Sequence, residues 1–240
     1  MAVAFVDSDI AGSDAGSTFP TASVTGSSSD GLALIALGWF DGTETITPTG
    51  TVGGSSTGVV QIGSTFSVSG GAFRMALFYK VAPGTGTLSL AGTLSASADN
   101  LFTIGAVYSG VDQSTPVGSL ATAAANSTSV SVSPSGGTAS GMVVAFAQSF
   151  FSALTSTAGT EREQLYRGSV DKTAAWGDLA GASGAVSWSQ TSALWGAIGV
   201  ALNEASGGGG ELTWLPRQTV ATGRGPKMVA SGMTPPGRVA

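Results

Sequence analysis

The 240-residue chain contains neither cysteine nor histidine. Without cysteine there are no disulfides, thiolate metal sites or cysteine nucleophiles, so stability has to come from burial and oligomerisation. Without histidine there is no imidazole to act as the usual general base for a serine or threonine nucleophile, and no common transition-metal ligand. Charge is sparse as well, at 10% of residues. Apolar runs such as Leu32 to Phe40 reach only about half of what a bilayer-spanning helix requires, so no membrane partner is expected. The first residues, MAVAFVDSDIAG, lack a basic region and their apolar run breaks at Asp7, unlike a secretory signal. The expected place of synthesis and assembly is a cytoplasm.

Glycine is abundant, with 37 residues among many Ser, Thr and Ala. This composition describes close-packed strands joined by turns rather than helices. The net charge of −5 divides unevenly: residues 1–205 carry 5 basic and 13 acidic side chains (−8), and residues 206–240 carry 4 basic and 1 acidic (+3). An acidic body repels phosphate, and the basic charge of the tail is too dilute for a nucleic-acid arm, so no nucleic-acid partner is expected.

Strand periodicity is clearest in Phe73–Val81, where Phe73, Met75, Leu77, Tyr79 and Val81 share one face. Pro83-Gly84 ends that strand, and Thr87–Leu94 alternates again as its hairpin partner. Leu32–Phe40 (LALIALGWF) is apolar on both faces, as a central strand covered on two sides would be, and Asp41-Gly42 supplies a turn after it. Gly141–Gln148 and Ala193–Asn203 are further central-strand candidates. Shorter strands are predicted at Ala2–Val6, Thr21–Thr25 and Ala185–Gln190, with an edge strand at Ser127–Ser133 whose polar face blunts edge pairing.

Asp7 to Thr18 reads as loop, and its acids Asp7, Asp9 and Asp14 as solvated rather than calcium-binding, because the pattern lacks a bidentate Glu. Glu161–Asp171 is expected as a short helix or exposed loop. Nine or ten strands without a helical period predict an all-β fold: a two-layer antiparallel β-sandwich of jelly-roll type over residues 1–205.

Residues 206–240 open on a tetraglycine and show no periodicity, which predicts a linker and an extended, non-globular tail. Such a segment gains order only against a partner. Its expected anchors are Trp214, Leu215, Met228 and Met233, with Arg217, Arg224, Lys227 and Arg238 for acidic contacts.

The stretch Val107–Gly118 (VYSGVDQSTPVG), taken with FYKVAPGTGTLSL before it and ALWGAIGVALNEA after it, resembles a β-sandwich domain recurrent among structural proteins of tailed bacteriophages. The resemblance spans roughly residues 30–205 and leaves the tail outside. It implies a non-enzymatic virion component assembled in the host cytoplasm, most simply a homo-oligomeric capsid decoration or cement protein docked on the major capsid protein. Read physically, Gly110 allows a sharp exit from a strand, Asp112 anchors an Asx-type turn and Pro116 fixes the next φ.

The alternative is a tail-fibre or tail-appendage module that binds host glycans through Trp176, Trp188 and Tyr166, with Asp171 or Asp178 meeting hydroxyls. Trp39 and Trp195, inside apolar strands, read as core. A glycosidase using Glu161 and Glu163, or Asp171 and Asp178, needs no histidine, but acids beside arginines in a polar run read as surface. No phosphate-cradling G-x-x-x-x-G-K-[ST] loop is present. No catalytic residue and no cofactor is expected.

Overall fold

A computed structural model of the chain describes residues 1–27, 29–40, 47–69, 72–150, 153–168 and 171–206. Its strands are β1 (Ala4–Thr18), β2 (Ala22–Gly26), β3 (Leu32–Phe40), β4 (Pro48–Val52), β5 (Val60–Gln61), β6 (Phe66–Val68), β7 (Phe73–Val81), β8 (Gly86–Ser109), β9 (Ala121–Val132), β10 (Met142–Phe150), β11 (Thr155–Ala158), β12 (Thr160–Arg167), β13 (Lys172–Ala180) and β14 (Val186–Leu202). They form two antiparallel sheets, one of β1 to β8 and one of β9 to β14, packed face to face. The all-β antiparallel sandwich is thus as the sequence predicts. A jelly roll alternates successive strands between its layers, whereas here the first sheet is completed before the second begins.

The main core lies between the sheets. Leu32, Leu34 and Ala36 of β3 meet Met142, Val144 and Phe146 of β10, with Phe102 to Tyr108 of β8 and Ile198 to Leu202 of β14 beside them. The opposite faces of β3 and β10 are also buried, which explains their two-sided apolarity. On β3, Ala33, Ile35, Leu37 and Trp39 pack under Leu88, Leu90 and Leu94 of β8. On β10, Val143, Ala145 and Ala147 pack with Val186 and Trp188 of β14.

Both covers come from long strands that bend back over their own sheet. The first half of β8 pairs with β2 and β4, and its second half with β1 and β3. Gly105 allows this closure, since a Cβ there would lie 2.7 Å from Leu90 Cδ1 of the same strand. Asn100, at φ 48°, takes the left-handed conformation within β8.

The two sheets repeat one topology. In the first, β3 lies between β8 and β7; Leu32 faces Tyr108 on one side and Val81 on the other. In the second, β10 lies between β14 and β13, and Met142 faces Leu202 and Ala180. β1 flanks β8 as β9 flanks β14, while β5 and β6 flank β7 as β12 flanks β13.

Equivalent positions meet across the core, as a two-fold relation requires. Phe40 and Phe150 are in edge contact with centroids 5.0 Å apart. Gly38 leaves the space that the Gln148 side chain occupies. The motif Ile104-Gly105 in β8 recurs as Ile198-Gly199 in β14. The sandwich is therefore built from two halves of like fold.

Several sequence expectations change. Asp7 to Thr18 is strand β1, not loop, because its backbone pairs along β8 and its carboxylates serve as acceptors. Glu161–Arg167 belongs to strand β12, neither helix nor loop, since β13 supplies a ladder partner. Thr87–Leu94 pairs with β2 and β4 rather than as a hairpin with β7, and it runs on to Ser109 as one strand; Ala185–Gln190 and Ala193–Asn203 are likewise one strand apart from Ala185 and Asn203. The Asp41-Gly42 turn lies outside the described residues.

Candidate functional site

The buried polar centre lies where β8 faces β13 across the core. Asp178 is 2% exposed and accepts two hydrogen bonds from Arg162, from Nε at 2.8 Å and Nη2 at 3.0 Å. The Tyr108 hydroxyl donates to Asp178 Oδ2 at 3.1 Å and accepts from the Trp176 indole at 3.0 Å. Arg162 lies 4.1 Å from the centre of the Phe5 ring, and Phe5 packs edge-on against Tyr108.

Burial pushes the Tyr108 phenol well above its usual range, and the Asp178 charge adds to the effect. The hydrogen bonds to Asp178 raise Arg162 further, so its guanidinium stays charged. Every polar member is committed to another, and Tyr108 is not available as a base at neutral pH. The arrangement ties the sheets together and holds no free nucleophile.

A second feature is a cleft of about 540 Å³ lined by Asp112, Thr115, Thr138, Asn203, Glu204 and Ser206. It sits at the crossover between the sheets. Gly110 has φ 70°, and a Cβ there would overlap the Ala2 carbonyl oxygen. Asp112 Oδ1 accepts from Ser114 N (2.7 Å), Ser114 Oγ (2.6 Å) and Thr115 N (2.8 Å). These bonds hold the Asp112 carboxyl well below the usual carboxylate range. It is an anchored turn acceptor, unsuited to giving or taking a proton near neutrality. Its Asx geometry is the one the sequence predicts for this corner.

Of the glycan-stacking candidates, Trp176 is 0% and Trp188 1% exposed. This overturns the expectation that they face solvent. Trp176 belongs to the inter-sheet core, and Trp188 covers β10 while its indole donates to Glu161 at 3.1 Å. Tyr166 is 44% exposed, with its hydroxyl donating to Asp171 at 3.0 Å. Trp39 and Trp195 are core, as read from their strands.

The proposed carboxylate pairs are divided among separate tasks. Glu161 accepts from Trp188 and Gln164, Glu163 from Ser8, Asp171 from Tyr166, and Asp178 is paired with Arg162. Asp7 and Asp9 accept the backbone N–H groups of Thr25 and Ser23, each at 2.7 Å, and Asp14 pairs with Arg167. Among the described residues no group of three or more acidic side chains is placed to hold a metal ion. The tail candidates Trp214, Leu215, Arg217, Arg224, Lys227, Met228, Met233 and Arg238 lie outside the described residues.

Neither the Arg162–Asp178–Tyr108–Trp176 network nor the pairing of β1 acids with β2 was foreseen from the sequence. The only advance signal of the first was Asp178 standing at the end of an apolar strand. No protein-family model matches the chain, and no curated protein and no solved structure matches it either.

Proposed function

We propose that this chain is a structural, non-enzymatic component of a tailed-bacteriophage particle: a homo-oligomeric decoration or cement protein that docks on the major capsid protein. The supporting observation is the way the stretches behind the resemblance come together. Tyr79–Leu90 carries the β7–β8 connection, Val107–Gly118 is the crossover, and Leu194–Asn203 is the strand on which the crossover lies. Gly118 N–H donates to Ala201 O at 2.8 Å, Asn203 N–H to Pro116 O at 2.9 Å and Asp112 N–H to Asn203 O at 3.0 Å. The crossover and the closing strand, far apart in sequence, form one hydrogen-bonded unit, as a recurrent domain motif should. The net +3 of residues 206–240, opposite in sign to the net −8 of residues 1–205, suits a docking segment that meets acidic partners.

The test is to locate the protein on intact phage particles with a tag inserted at Gly84, in the exposed β7–β8 turn where a Cβ would meet no atom within 4 Å. Label over the capsid shell is expected. Label confined to tail or fibres would overturn the decoration role, and unlabelled particles would overturn any role in the virion. Deleting residues 206–240 should abolish incorporation; unchanged incorporation would remove the docking part of the proposal.

A further inference from the structure

The two-fold relation between the halves supplies an internal control for their edges. β1 and β9 occupy equivalent positions, since Ile10 faces Ile104 and Thr122 faces Ile198. Counting along the ladders, Asp9 corresponds to Ala121, Gly12 to Ala124 and Asp14 to Asn126. The two strands are treated very differently.

β1 is covered and charged. Gly12 leaves room for Leu165 and Arg167 of β12, Asp14 pairs with Arg167, and Ser8 donates to Glu163 at 2.8 Å. Asp7 and Asp9 spend their carboxylates on the outer N–H groups of β2. These are the usual means by which a sheet edge is protected.

β9 has none of them. Its 12 residues, ATAAANSTSVSV, contain no charge and no proline. Thr122, Ala124, Ala125, Asn126, Thr128 and Ser129 are exposed. The elements equivalent to β12 are β5 and β6, of 2 and 3 residues, too short to cover it. Among the described residues β9 pairs only with β14, which leaves its other side open. No charged residue occurs anywhere from Gln113 to Thr160.

We propose that β9 is a self-association edge, along which two copies of this chain pair antiparallel to join their second sheets. The occupant follows from charge. Bodies of net −8 repel one another, and an uncharged strand lets two copies approach without stranding a like charge at the contact. An antiparallel pair of identical edges is also self-complementary, so one strand supplies both sides. Ser and Thr on the exposed side do not prevent this pairing, because backbone groups carry it and the small side chains permit close approach. The inference deepens the homo-oligomeric part of the proposed function and rests on no other part of it.

The test uses the full chain in sedimentation velocity across a range of concentrations. In a pair centred on Ala124, residue 122 of one copy faces residue 126 of the other. Thr122→Lys/Asn126→Lys therefore sets like charges opposite each other, and the dissociation constant should rise roughly 100-fold. The matching Thr122→Asp/Asn126→Asp chain should also fail to self-associate, and a mixture of the two should recover the wild-type association. Thr87→Lys, on an exposed part of β8, should behave as wild type.

Unchanged thermal melting of each variant separates loss of pairing from loss of folding. A wild type that stays monomeric throughout overturns the inference, as does a Lys variant that associates like wild type. If both charged variants fold but their mixture does not associate, the edge is not the contact. A monomeric wild type on labelled particles would sink the β9 pairing and leave the virion role standing.

Discussion

Replacing Asp178 by Ala tests the claim that a buried polar network ties the sheets. The substitution removes the acceptor of two Arg162 hydrogen bonds and of the Tyr108 hydroxyl. Breaking a fully buried ion pair from one side costs about 3–5 kcal/mol. The Arg162 side chain is 26% exposed and can turn partly to water, which takes the figure towards the lower end. The stranded Tyr108 donor adds about 1 kcal/mol.

The expected loss is therefore about 3–4 kcal/mol in urea unfolding, or roughly 10 °C in melting temperature for a body of this size. The double variant Arg162→Met/Asp178→Leu should lose less than Asp178→Ala alone, because it strands no charge. A loss under about 1 kcal/mol for Asp178→Ala would refute the reasoning. So would a double variant that is worse than the single one.

Two further predictions concern the core and the surface acids. A Cβ on Gly38 would overlap the buried Gln148 amide, whose polar atoms find no partner among the described residues. Gly38→Ala should then cost about 1–3 kcal/mol in denaturant unfolding, and far less in a Gln148→Ala background; equal costs in both backgrounds would contradict the contact. Burial, with the charges of Asp9 and Asp7, raises Glu163 above the ordinary Glu range despite the Ser8 hydrogen bond. A raised folded-state pKa means that the Glu163 contribution is fully present below its unfolded pKa and is lost as pH rises through the folded one. Glu163→Gln should thus stabilise by about 0.3–0.5 kcal/mol near neutrality, a figure discounted for partial exposure, and change nothing at low pH; thermal melts across pH would show the crossing, and a loss of stability near neutrality would contradict it.

Strand periodicity made much of the fold readable in advance. Phe73–Val81 and Leu32–Phe40 follow their side-chain alternation into the core. The Asp112 turn also followed from sequence, because an Asx turn is made by neighbours a few residues apart. The polar network did not, since it joins Tyr108 to residues 54 to 70 positions away. Trp188, flanked by Ser187 and Ser189, looked half-exposed because alternation reports which residues share a face, not whether that face is later covered.

The all-β class, the central strands and the corner at Gly110 to Pro116 are legible in the residues alone, because local backbone preference and the period of two set them. Tertiary structure alone decided that β8 and β14 bend back over their own sheets, that Asp7 to Thr18 joins a ladder, and that the two halves share a fold. It also decided that β1 is covered while β9 lies open. These depend on which distant segment fits a surface, through pairs such as Gly38 with Gln148, and that fit is a property of packed volume rather than of sequence pattern.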